Sequence, residues 1–215
     1  MRLLSAPLGD LVAEDRDVLR AGLATARWIT VDDTSARHAR KDGVTTRLGD
    51  DRFTVFRTGT AKSREAFLAL LRAGYGDYVV DAAALEYMRG RSLAAAVIEQ
   101  LATHRAKLFA SAAAWRAHLA ALGLDRLQVT PDPVLIATEG ALWGAIHDHG
   151  LLSGTVIVSD DAGQFRVGAH ALCWVHAERL VHKLVPATAV QRRAVELVRA
   201  LIRWFYADLK QGLEA

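Results

Sequence analysis

Two rhythms of apolar residues alternate along this chain. Between residues 8 and 26, Leu11, Val18, Leu19 and Leu23 recur at helical spacing among Glu14, Asp15, Arg16 and Asp17, which predicts an amphipathic helix. The run "WITV" that follows is rich in β-branched and aromatic residues, as are "GVTTRLG" and "RFTVFRTG". The last two are joined by "GDD", a turn signal, so three strands in an antiparallel meander are predicted. "SREAFLALLRAG" returns to helical spacing, with Ser63 placed to cap the helix and Gly74 to stop it. "DYVVDAA" is a short apolar run that reads as a fourth strand, and residues 83–122 read as mostly helical. Pro131 and Pro133 break the pattern before "VLIATEGALWGAIHDHG" resumes it as a helix. A buried strand is predicted at 155–159, and "HALCWVHAERLVHKL" reads as a further strand, or a strand passing into a helix. The last helix, roughly 188–210, carries Val190, Ala194, Leu197, Val198, Leu201, Ile202, Phe205 and Leu209 on one stripe. This order predicts a mixed α/β sheet with helices on its faces.

Composition narrows the class. The 215 residues suffice for one good core, and 52% hydrophobic with 24% charged residues describes an ordinary soluble protein. No apolar run approaches membrane length, and the opening "MRLLSAPLGDLVAEDRD" turns acidic too soon for a secretion signal, which predicts a cytoplasmic protein. A single cysteine, Cys173, excludes an intrachain disulfide. Net charge is only +3, with a pI near 9.2, which permits nucleic-acid binding without demanding it. No G-x-x-x-x-G-K-[ST] loop is present to cradle a phosphate chain.

Two predicted strands run into paired carboxylates, "WITVDD" at Asp32–Asp33 and "TVIVSDD" at Asp160–Asp161. If these strands lie side by side, their carboxylates repel one another and recruit a hard cation, Mg²⁺ or Mn²⁺. Equally, an Asp after a strand starts a turn or caps a helix. Spacing alone leaves both readings open.

"SDDAGQF" followed by "HALCWVHAERLVHKL" resembles the catalytic core of bacterial DDE transposases of the insertion-sequence-66 type. The residues carrying the likeness are Asp160, Phe165, Cys173, Trp174, His176 and Arg179, with Asp32, Asp33 and Thr34 similar to the segment around that family's first aspartate. The resemblance implies a ribonuclease-H-like fold: a mixed five-stranded sheet with its first and fourth strands adjacent, flanking helices and a helical insertion at about 75–150. An N-terminal helical segment at 1–27 would precede a core at 28–215. It implies that Asp32 and Asp160 are catalytic metal ligands for Mg²⁺ or Mn²⁺, with mobile-element DNA as substrate and a second copy or a full-length transposase as partner. Asp33 and Asp161 are expected to point to the opposite face, because strand side chains alternate.

The family's third acid lies in a downstream segment, so a chain ending at Ala215 would be an incomplete core. Such a remnant could still bind DNA or a partner transposase without catalysis. Glu196, with 35 residues between it and Asp160, is a candidate third acid, although Arg192, Arg193, Arg199 and Arg203 share the polar face of its helix. For phosphate contacts the best basic cluster is Arg179, Lys183, Arg192 and Arg193, which would equally serve as a solvated face. His170, Cys173 and His176 have a spacing that suggests zinc, but residues three apart on a strand face opposite ways. Trp143, Trp174 and Trp204 read either as base-stacking platforms or as packing residues.

Overall fold

The fold is described from a computed structural model covering residues 5–38, 41–59 and 61–214. Helix α1 (Ser5–Thr25) leads into strands β1 (Trp28–His38), β2 (Lys41–Gly49) and β3 (Thr54–Gly59), then α2 (Arg64–Leu71). Next come β4 (Tyr78–Val79), α3 (Ala82–Gly90), α4 (Ala95–Thr103), β5 (Leu108–Phe109), α5 (Ala112–Ala121) and α6 (Pro133–Asp148). The chain finishes with β6 (Val156–Ser159), β7 (Ala169–Leu172), α7 (Trp174–His182) and α8 (Ala189–Glu214). Among the described residues, no helix is long and apolar enough to cross a membrane.

Five strands form one mixed sheet in the order β3-β2-β1-β6-β7. β1, β2 and β3 are antiparallel neighbours, as their short turns require, whereas β6 runs parallel to both β1 and β7. The first and fourth strands of this sheet are therefore adjacent. One face is apolar: Ile29, Val31, Leu48, Val55 and Ile157 are all buried and share a single hydrophobic core with Leu19 and Leu23 of α1, Phe67 and Leu68 of α2 and Ile136 of α6. The helical layer thus covers one side of the sheet.

The turn between β2 and β3 is built around Asp50. Its carboxylate accepts hydrogen bonds from the backbone N–H of Arg52 and Phe53 at 2.7 and 3.1 Å, and from the Arg52 guanidinium. Burial pushes this carboxyl's pKa up, but the Arg52 side chain and the two backbone donors outweigh it and hold it below the usual carboxylate range. A depressed folded pKa contributes stability that is present above about pH 4, the unfolded value, and disappears as pH falls through the folded one. Asp50→Ala is therefore expected to cost about 1–3 kcal/mol at pH 7 by urea denaturation, and the gap from wild type should narrow below pH 3.

Two expectations are corrected, and one helix takes a place that its periodicity left open. Asp32 and Asp33 do not stand at the exit of "WITV", because β1 continues through them to His38, held by antiparallel pairing with β2 that local propensity does not show. "DYVVDAA" gives no strand of the main sheet: β4 pairs with β5 in a separate two-stranded ribbon within the helical segment. The stripe of the last helix does not face the core. Val190, Leu197, Leu201 and Trp204 are exposed, and α8 packs against α7 through Ile202, Phe205 and an Arg199–Glu178 ion pair.

Candidate metal and nucleic-acid site

The pairing register directs the two carboxylates towards each other. β1 and β6 pair in parallel from Trp28–Val156 to Thr30–Val158, and the ladder stops there, two residues short of Asp32 and Asp160; the same register continued would set those two side by side. Ile29 and Val31 face the core, which sends Thr30 and Asp32 to the other side of the sheet. By the same alternation, Ile157 and Ser159 are buried and Asp160 follows Val158 outward.

Neither carboxylate is neutralised among the described residues. The β2 partner of Asp32 is Arg47, but its guanidinium donates to Thr30 Oγ1 at 2.5 Å and to Thr54 Oγ1 instead. Asp160 accepts only the backbone N–H of Ala162, at 3.1 Å, a bond that fixes one carboxylate oxygen and leaves the other free. Carboxylates drawn close to one another would take a divalent cation between them.

The strand end that carries Asp160 is held from beneath. Ser159 Oγ donates to the Asp160 carbonyl at 2.7 Å and bonds His170 Nε2 at 2.8 Å. Burial, helped by Arg166, lowers the pKa of His170, with Asp161 and Asp160 pulling weakly the other way. Phe165 is buried edge-on against Phe67, 5.0 Å between ring centres, and Arg64 donates to the Gly163 carbonyl. The loop after Asp160 is therefore pinned at both ends.

Asp33 points to the core side of β1, as alternation predicts, whereas β6 ends before Asp161 and alternation does not reach it. Asp33 accepts hydrogen bonds from Thr46 Oγ1 and Gln164 Nε2 at 2.5 and 3.1 Å, and it lines a cleft of about 370 Å³ with Arg16, Arg57 and Lys62. Asp161 is exposed and paired with Arg166. This cleft lies on the helical side of the sheet, is not lined by Asp32 or Asp160, and no sequence signal marked it.

The remaining candidates divide. Arg179 and Lys183 end α7 while Arg192 and Arg193 open α8; all four are exposed, and the short connection at 183–188 gathers them at one end of a helical hairpin. Glu196 is exposed on α8, and among the described residues no group of three His, Cys, Asp or Glu side chains is placed to hold a metal. The zinc spacing is broken up accordingly: His170 sits on β7, Cys173 precedes α7 and His176 lies within it. Trp143 packs on the core beside His147 and Trp174 packs edge-on against Phe205, whereas Trp204 is 67% exposed.

Reasoning from sequence missed the buried charge at Glu139. It is 2% exposed, accepts from Tyr87 Oη at 2.9 Å and from Arg91 Nε at 3.2 Å, and lies 3.9 Å from Arg64. Burial, and then the Glu139 charge, push the Tyr87 phenol above the usual tyrosine range.

The chain is 50% identical over 193 residues to an uncharacterized protein, y4jO, of Sinorhizobium fredii; the match covers 90% of this chain and 60% of that relative. No family model matches the chain. No solved structure matches it either.

Proposed function

We propose that this chain is the catalytic-core portion of a DDE transposase with a ribonuclease-H-like fold, acting in divalent-metal-dependent cleavage and strand transfer of mobile-element DNA. The observation that carries this reading is the parallel pairing of β1 with β6, whose register, continued two residues beyond Thr30 and Val158, leads to Asp32 and Asp160, both without a salt-bridge partner among the described residues. The strand order β3-β2-β1-β6-β7, antiparallel then parallel, agrees with the arrangement that the resemblance implies.

An exposed carboxylate, Asp32, and a half-buried one, Asp160, supply hard oxygen donors and leave room for water and phosphate oxygens, which suits Mg²⁺ or Mn²⁺. Such an ion, when bound, activates water or a 3′-hydroxyl and stabilises the leaving oxygen of a phosphodiester. Asp32 and Asp160 hold it; the Ala162 N–H orients the Asp160 carboxylate. Arg179, Lys183, Arg192 and Arg193 offer a basic end of the α7–α8 hairpin to DNA phosphates.

A second reading is favoured by the donor set. With two candidate carboxylates and no group of three metal-holding side chains among the described residues, the chain would act as a non-catalytic remnant that binds DNA or a partner transposase. A metal-dependent cleavage assay on DNA carrying mobile-element ends separates the two. Activity that is lost in Asp160→Ala supports the first; retained DNA binding with no cleavage in Mg²⁺ or Mn²⁺ supports the second.

A further inference from the structure

We infer that α8 is a self-association helix, which joins two copies of this chain in antiparallel fashion about a two-fold axis near Leu201. This rests on α8 alone and is independent of the reading of Asp32 and Asp160.

At 100° per residue, Trp204, Leu197, Val190, Leu201, Ala194, Phe205, Val198 and Leu209 fall within an arc of roughly 140°. From Val190 to Leu209 that strip is about 28 Å long at 1.5 Å per residue. α7 covers only its margin, near Ile202 and Tyr206, so Val190 stays 76%, Leu201 53% and Trp204 67% exposed. A monomer seldom leaves so long a contiguous apolar strip in water.

Charge decides which occupant fits. Asp208 is the single acid within the arc, and Arg193 borders it at the far end of the helix. Among the described residues neither makes an ion pair or a side-chain hydrogen bond. Arg193 lies eight residues before Leu201 and Asp208 seven after it, so a two-fold axis there sets each Arg193 one residue from level with the other copy's Asp208, within reach of its long side chain, twice by symmetry. Leu197 then meets Phe205, Val198 meets Trp204, and Leu201 meets itself. A parallel pair would instead stack Asp208 on Asp208, which repels, and would leave the two Arg193 side chains on opposite margins of the seam. In the antiparallel dimer Arg193 is taken by Asp208, leaving Arg179, Lys183 and Arg192 for phosphate.

Sedimentation velocity of the full chain over a concentration series tests this. Wild type is expected to show a monomer–dimer equilibrium. Arg193→Asp and Asp208→Arg should each weaken it at least about tenfold, and the double variant should restore it. A Leu201→Cys variant in a Cys173→Ser background should form an intermolecular disulfide under mild oxidation. A wild-type chain that stays monomeric throughout, with the strip buried against its own sheet or left bare, overturns the inference. So does a double variant that remains as weak as the singles, or a Leu201→Cys chain that never cross-links.

Discussion

Changing Asp160 to asparagine is expected to weaken Mn²⁺ binding by roughly a hundredfold, and to lower any metal-dependent DNA cleavage by about 10³-fold, with the fold intact. Asparagine keeps an oxygen to accept the Ala162 N–H, so the turn after β6 survives and only the charge goes. A purely structural Asp160 would be rescued by this replacement; a metal ligand would not. Asp32→Asn should behave alike, since the two side chains would share one ion. Asp161→Ala is the matched control: it is exposed and paired with Arg166, and its loss should leave Mn²⁺ binding within about twofold. Isothermal titration with Mn²⁺ reads all three. Wild-type affinity in Asp160→Asn would remove the metal site from the account.

The largest stability effect is expected at Gly144→Ala. In α6, Gly140 and Gly144 stand four residues apart on the face that meets α3 and β4. A Cβ at 144 would come within 2.3 Å of the Val79 carbonyl oxygen, 2.9 Å of Asp81 Oδ1 and 3.1 Å of the Ala84 Cβ. The first of these is backbone, so it cannot swing aside. Alanine gains about 1 kcal/mol of helix propensity over glycine, but forcing α6 off β4 costs more. A net loss of about 2–4 kcal/mol is expected, lowering Tm by roughly 5–15 °C in thermal unfolding followed by circular dichroism. At Gly90, where a Cβ meets nothing within 4 Å, the same change should be neutral or slightly stabilising. Equal Tm values for the two variants would mean that α6 does not sit so close to β4.

Acid weakens the fold through a second route. Burial, with His104 and Lys107 nearby, lowers the pKa of His118, and His170 is lowered as well. Each histidine takes a proton more readily unfolded than folded, so stability is expected to fall as pH drops below about 6.5. Replacing His118 with glutamine should flatten the pH dependence of Tm between pH 6.5 and 5.

The strands of the main sheet were legible because β-branched residues crowd "WITV", "GVTTRLG" and "TVIV", and alternation along them placed Asp32 and Asp33 on opposite faces. The length of β1 was not. Residues 35–38 have little strand preference and are carried by their partners on β2, a contact made across the hairpin. β4 was legible as a strand but its sheet was not, for the same reason, since its partner Leu108–Phe109 lies thirty residues away. Gly140 and Gly144 look like weak points in a helix until α3 is laid against them. The α8 pattern showed that a face seeks cover, but periodicity names no partner.

Arg64 stands between two regions that the strand order keeps apart. Its guanidinium reaches towards the buried Glu139 on α6 and, on its other side, grips the Gly163 carbonyl three residues beyond Asp160. A mechanical strut therefore runs from the interior of the helical segment that precedes β6 to the loop behind Asp160. Loosening the packing around Tyr87 and Arg91 would be felt there as a slackened carboxylate, so on the reading proposed above this helical segment would stiffen the edge that holds a phosphate.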